Sequence, residues 1–237
     1  MITEIDVFEE KLYEDDAALV KINCLYHAYG LGSKVVGFFK QIDENNNLTA
    51  IMSVSGGNVN LWQQNGDLEE IKSYLLFIGA SNVFTSEETA HRLSLKVKKP
   101  CFLMKVRQNV LNKECVIGEN TPRRILEILK TGLVIENDDE FLSDVTYRLY
   151  HNAAGFALSD KGAGLVFKSN VCSIIGGLAV LPEFRRSGGF GSELLTKLRE
   201  QSKNENFFVC CEEKNIGFYN KNGLCVVQRA GDFEVKV

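Results

Sequence analysis

One stretch limits what this chain can fold into more than any other. VCSIIGGLAVL, from Val171 to Leu181, is the most apolar run and reads as a strand. The chain then breaks at Pro182, adds Arg185 and Arg186, turns through Gly188, Gly189 and Gly191, and enters a helix whose Leu194, Leu195 and Leu198 share one face. Strand, glycine-rich turn and amphipathic helix in direct succession call for an α/β fold. The first N–H groups of a helix lack internal partners and carry partial positive charge. Glycines let the backbone approach a ligand and adopt positive φ. With two arginines added, the helix mouth suits a phosphate or pyrophosphate, against the plainer reading of an ordinary strand-to-helix turn. Two other phosphate loops are excluded. No G-x-x-x-x-G-K-[ST] occurs, and Leu194 stands where the dinucleotide fingerprint needs its third glycine.

The rest of the chain repeats one order. In the first part, KINCLYHAYG ends a helix at Gly30, and VVGFFKQID and LTAIMSV form a hairpin about the turn ENNN. NVNLWQQ is a further strand, Asp67 caps the helix LEEIKSYLLFIG, and NVFTS is a short strand. In the last part, AGFALS and LVFKS form a hairpin about DKGAG, followed by the apolar strand, the helix and NFFVCCEE. A short helix at Ile216 to Lys221 closes at Gly223, and LCVVQRA and FEVKV finish the sheet. Between the halves lie a strand pair interrupted at Pro100, a helix capped by Thr121 with Pro122 at its first position, and the helix DDEFLSDVTYRLYHNA. Both halves run hairpin, strand, helix, strand, without shared residue identity. The first half has Asp67, Glu69 and Glu70 at its helix mouth, where an anion site needs bases.

Bulk properties narrow the classes. The 237 residues carry a net charge of -4 and no long basic run, so nucleic acid is not an expected partner. The acidic balance slightly favours cationic small molecules. Seven cysteines without a C-x-x-C pair, and only three histidines, argue against a zinc site. The cysteines are expected to be small buried hydrophobes in a reducing cytoplasm, with Cys210 and Cys211 on opposite faces of one strand. No apolar run reaches membrane-spanning length and the N-terminus has no signal core, so no membrane is expected.

The segment Arg-x-x-Gly-x-Gly after a strand ending Val-x-Pro resembles the coenzyme A pyrophosphate signature of the GNAT acyltransferase superfamily. NIGFYNKNGL, from Asn215 to Leu224, looks like that family's downstream segment of Asn, aromatic-Tyr, Lys and Gly. The resemblance covers residues 138–237, and only element order extends it to the first half. It implies a mixed, largely antiparallel sheet flanked by helices. The halves are then a degenerate GNAT-like or accessory domain at 1–108, a connecting segment with a helix at 109–137, and an acetyl-CoA-binding domain at 138–237. It further implies an N-acetyltransferase, with a small-molecule amine or a protein amino group as acceptor. By the motif, Arg186, Ser187, Gly188, Gly189, Phe190 and Gly191 hold the pyrophosphate with Ser192 beside it. Leu178 and Val180 offer backbone groups to the pantetheine arm, Asn215 contacts the cofactor, and Tyr219 lies near its sulfur. One departure leaves two registers open. Counting from Arg185 places Phe190 where a small residue belongs, and counting from Arg186, the register preferred, leaves one extra residue after Pro182.

Acyl transfer from a thioester expels a thiolate of pKa about 8.5, and a phenol of pKa about 10 can protonate it as charge develops. The general base is not evident. The strand before the loop has no carboxylate. Glu183, Glu212, Glu213, Asp139, Glu140 and Asp144 read as solvated groups, which leaves deprotonation through water. The pair Gly176 and Gly177 permits a bulge and close backbone approach. His151, Tyr147 and Tyr150 either line an acceptor pocket or pack a helix. The competing reading from another class is a catalytically silent acyl-CoA-binding or regulatory module.

Overall fold

A computed structural model describes residues 1–11, 15–107, 117–186, 188–202 and 204–235. In chain order the first elements are β1 (Ile2–Glu4), α1 (Ala17–Tyr29), β2 (Gly37–Ile42), β3 (Leu48–Ser55), β4 (Asn58–Gln63), α2 (Leu68–Phe77), β5 (Asn82–Ser86), α3 (Glu87–Arg92) and β6 (Lys96–Arg107). Then come α4 (Thr121–Leu129), α5 (Asp138–Tyr150), β7 (Ala154–Ser159), β8 (Gly162–Lys168), β9 (Ser173–Val180), α6 (Phe190–Glu200), β10 (Asn206–Cys211), α7 (Ile216–Lys221) and β11 (Cys225–Glu234). Contacts divide the chain into two compact units, Met1–Lys105 with Cys210–Val237, and Val106–Val209.

The first unit orders its strands β1-β2-β3-β4-β5-β11-β6, antiparallel except for β4 beside β5. Asp43 builds the β2–β3 turn by accepting the amides of Asn45 and Asn47, while Asn46 takes φ 60°. Helix α2 starts where Asp67 accepts the amides of Glu69 and Glu70, and its Ile71 and Leu75 pack with Met52, Leu61 and Val83. Strand β11 lies between β5 and β6, pairing Ala230 with Ser86 on one side and with Cys101 on the other. Its Gln228 side chain donates to Asp16, the N-cap of α1, and accepts the amide of Ala17. This insertion is why residues 210–237 cluster with the first half.

The second unit orders β10-β9-β8-β7. Strands β7, β8 and β9 are antiparallel, and β10 joins β9 in parallel. Helix α4 buries Ile125 and Leu129, and α5 buries Val145 and Leu149, in a core completed by Leu165 and Ala179. Leu194, Leu195 and Leu198 of α6 are buried as the periodicity requires.

Both halves thus run hairpin, strand, helix and a final strand parallel to the one before the helix. Several local expectations are corrected. Pro100 does not interrupt a strand pair: β6 is continuous, and Pro100 faces Gly231 of β11, whose missing Cβ lets the backbones approach. The two final strands are one, β11, with irregularities at Val226/Gln228 and Asp232/Phe233 absorbing the Ala-Gly-Asp stretch. The N-cap of α4 is Asn120, and Thr121 instead accepts the amide of Gly118. Strand β1 and helix α3 had no distinct signal. Cys24, Cys172 and Cys211 are buried as expected, whereas Cys225 is exposed and Cys101 and Cys210 are half-buried. Cys115 lies outside the described residues. Among the described residues no helix is long and apolar enough to cross a membrane.

Candidate functional site

The site of interest in the second unit begins on β9. Its parallel register with β10 runs from Ser173–Phe207 to Ile175–Val209 and stops there. On the other side, pairing with β8 passes from Ile175–Val166 to Gly177–Leu165, so Gly176 is the extra residue of a bulge. From Gly176 to Val180, β9 keeps only its β8 partner among the described pairings. Both glycines leave little room for a side chain. A Cβ on Gly176 would sit 2.5 Å from the Phe167 ring, and one on Gly177 would sit 3.1 Å from side-chain carbons of Leu129 and Leu133. Leu178 and Val180, both half-buried, fall on this open stretch.

A 3-10 turn at Pro182–Phe184 takes up the chain after β9. Arg186, Gly188 and Gly189 then adopt φ of 61°, 67° and 71°. Left-handed backbone at a non-glycine such as Arg186 costs about 1–2 kcal/mol, strain that tends to concentrate at functional positions. Arg186 is exposed and its side chain makes no hydrogen bond or ion pair among the described residues. Arg185 differs: its Nε donates to the Val180 carbonyl (2.8 Å) and its Nη2 to the Thr131 carbonyl (2.7 Å). Ser187 lies outside the described residues. The N-cap of α6 is Gly189, which has no side chain to occupy the amides of the first turn, where Phe190, Gly191 and Ser192 sit half-buried.

Phe190 folds back over the loop. A Cβ on Gly188 would lie 2.7 Å from its ring, which meets Phe184 edge-on at 6.0 Å. The Lys161 ammonium stands 4.0 Å from the Phe190 ring centre. Lys161, Phe190, Ser159, Asp160, Glu193 and Leu194 line a cavity of about 200 Å³. The sequence shows Lys161 only as part of the β7–β8 turn, and its approach to the loop depends on the hairpin register. Glu193 pairs with Lys197 at 2.7 Å, which lowers its pKa.

In the first unit, Asn215 is exposed and precedes α7 without making a side-chain cap. Tyr219 is 7% exposed, with Phe218 edge-on at 5.0 Å, and its hydroxyl has no hydrogen-bond partner among the described residues. Burial, with the Cys211 thiol adding to it, pushes the phenol well above its ordinary range. Cys211 itself is pushed up to about 11 by burial. The carboxylates are otherwise occupied or exposed. Asp144 takes Arg148 at 2.7 Å, Glu212 takes Lys214 at 2.6 Å, and Glu183, Glu213, Asp139 and Glu140 face solvent.

The corresponding positions of the first half are filled by its own side chains. The Asp67 carboxylate takes the free amides of α2. Beyond the last β4–β5 pair, Asn60–Phe84, the Thr85 hydroxyl donates to the Leu61 carbonyl at 2.7 Å. Tyr147 and Tyr150 do line a cavity, about 520 Å³ against the start of α4, while His151 stacks on Tyr147 and donates Nδ1–H to its carbonyl.

Residues 119–224 match the family model described as the Acetyltransferase (GNAT) family. No curated protein matches. Among solved structures, a tandem GNAT protein from the clavulanic acid biosynthesis pathway has a TM-score of 0.56 at 9% identity, over 90% of this chain and 88% of its own. A GCN5-related N-acetyltransferase from Sphaerobacter thermophilus scores 0.57 at 13% identity, over 88% and 83%. An acetyltransferase of the GNAT family from Colwellia psychrerythraea scores 0.53 at 13% identity, over the full length of both chains. At these identities the likeness concerns the fold, a mixed, mostly antiparallel sheet flanked by helices, and the tandem neighbour supports the reading of two halves.

Proposed function

We propose that the protein is an N-acetyltransferase that moves an acetyl group from acetyl-CoA to a primary amine in a ternary complex, a reading that starts from the match of residues 119–224 to the GNAT acetyltransferase family model. The observation that carries this is the open stretch of β9 running into a left-handed, uncapped helix mouth. The backbone of β9 from Gly176 to Ala179, which has no second strand partner among the described pairings, suits a pantetheine arm, whose amides can pair as an added strand would, whereas the Val180 carbonyl is already taken by Arg185. The first-turn amides of α6, freed by Gly188, Gly189 and Gly191, suit the pyrophosphate, with Ser187 and Ser192 as further donors and Arg186 supplying charge. Acetyl-CoA contributes the activated thioester. Asn215 is assigned to the cofactor, and Tyr219 to the departing sulfur, by their motif. Tyr219, with no hydrogen-bond partner for its hydroxyl among the described residues, carries its proton at neutral pH, but burial makes it a weaker acid than a free phenol, so the acid role rests on the motif. The amine loses its proton through water. The acceptor is a small amine or a protein amino group.

One observation favours the second reading, a silent acyl-CoA-binding module: β9 contains no carboxylate, and Asp144 and Glu212 are held in ion pairs. Two measurements separate the readings. Coenzyme A should raise the melting temperature, because a ligand that binds only the folded state stabilises it. Acetyl-CoA with a panel of primary amines should release free thiol. A melting shift without thiol release supports the silent module, and no shift removes both.

A further inference from the structure

The two neighbouring arginines of the loop have unlike surroundings. Arg185 joins two chain segments far apart in sequence, bonding the last carbonyl of β9 and the Thr131 carbonyl 54 residues earlier. Thr131 belongs to the tight turn that ends α4, where Gly132 and Leu133 both donate to the Leu129 carbonyl. Carbonyls at a helix end carry partial negative charge, which a guanidinium satisfies well. The turn is pressed onto β9. A Cβ on Gly132 would lie 3.4 Å from Ala179, and Leu133 reaches the position of Gly177. Past the clamp, Leu133 and Val134 are 38% and 87% exposed. Arg186 has none of these ties.

We propose that Arg185 is a positioning residue and not a phosphate ligand: it clamps the turn Thr131–Val134 against the open stretch of β9, and Arg186 alone meets the pyrophosphate. The consequence rests on the coenzyme A reading above. A cofactor arm laid along Gly176–Ala179 has Leu133, which reaches the position of Gly177, as an apolar neighbour, so the clamp fixes one wall beside the arm. Losing it loosens that wall without removing charge from the phosphate.

The test compares Arg185→Ala, Arg185→Lys and Arg186→Ala by calorimetric titration with coenzyme A at several salt concentrations, and by hydrogen exchange across residues 129–135. Arg186→Ala should weaken coenzyme A by about tenfold or more, flatten the salt dependence, and leave exchange unchanged. Arg185→Ala should hold coenzyme A affinity within about threefold at the parental salt dependence, while exchange in 129–135 rises about tenfold. Arg185→Lys, which can reach one carbonyl but not both, should fall between. With an amine found by the panel assay, Arg185→Ala should raise the acceptor KM and leave the acetyl-CoA KM in place. The proposal is overturned if Arg185→Ala weakens coenzyme A as Arg186→Ala does with an equally flattened salt dependence, or if exchange in 129–135 does not change. A parent protein without coenzyme A affinity would instead remove the acetyltransferase reading, and the exchange comparison would still decide the clamp.

Discussion

Gly188 and Gly189 have nearly the same backbone angle and opposite surroundings, which makes a matched pair of substitutions informative. Each has φ near 70°, so a Cβ at either costs about 1–2 kcal/mol of left-handed strain. Nothing lies within 4 Å of a Cβ on Gly189, and Gly189→Ala should cost no more than that. On Gly188 the Cβ would meet the Phe190 ring at 2.7 Å and force it aside. The ring then loses the Lys161 ammonium, a contact of about 0.5–1 kcal/mol, and the edge of Phe184, about 0.5–1.5 kcal/mol. Gly188→Ala should therefore be the more destabilising by about 1–2.5 kcal/mol. The second unit need not unfold together with the first, so the readout is hydrogen exchange at the buried α6 residues Leu194, Leu195 and Leu198. In a Phe190→Leu background the ring is absent and the two alanine variants should become equivalent. Equal costs in the parent, or a difference that persists in the Phe190→Leu background, would refute the reasoning.

Tyr219→Phe keeps the ring and removes the proton, so turnover should fall about 10²-fold or more with coenzyme A affinity unchanged, and parental turnover would exclude the acid role. Cys211 and Tyr219 hold their protons more tightly folded than unfolded, so their stabilising contribution is complete below pH of about 9 and is lost as pH rises toward the folded values. Urea midpoints should decline above about pH 9, Cys211→Ala should flatten the decline, and a parent curve flat in that range would contradict it. Asp67→Ala should cost about 1 kcal/mol as a lost helix cap and leave coenzyme A affinity unchanged, since the anion position of the first half is taken by that carboxylate. A changed affinity would place cofactor in the wrong half.

Much of the loop and bulge geometry at the candidate site was legible in the sequence because it depends on residues with local physical meaning. Glycines and arginines at a helix mouth, and the Gly176–Gly177 pair, announce a loop and a bulge wherever they occur. The fate of Arg185 could not be read, since its partners Val180 and Thr131 meet only when α4 packs on β9. Lys161 was hidden because its approach to Phe190 depends on the register of the β7–β8 hairpin. The order of elements was legible in both halves, but the pairing of β11 was not. Period-two patterning marks a strand without naming its neighbours, and the irregularities in β11 made one strand look like two. Pro100 misled because its cost in a sheet depends on the residue opposite, here Gly231.

The insertion of β11 also sets a timetable for synthesis. Ala17 finds its hydrogen-bond partner at Gln228, 211 residues later. At about 5–20 residues per second a ribosome needs roughly 10–40 s to cover that distance. For that interval the nascent first unit has β5 with a bare edge, and β6 lacks the neighbour that separates the two. The second unit, whose strands are contiguous in sequence, can close before the first is finished. Maturation should therefore run against chain order, with the earliest-made unit the last to become protease-resistant.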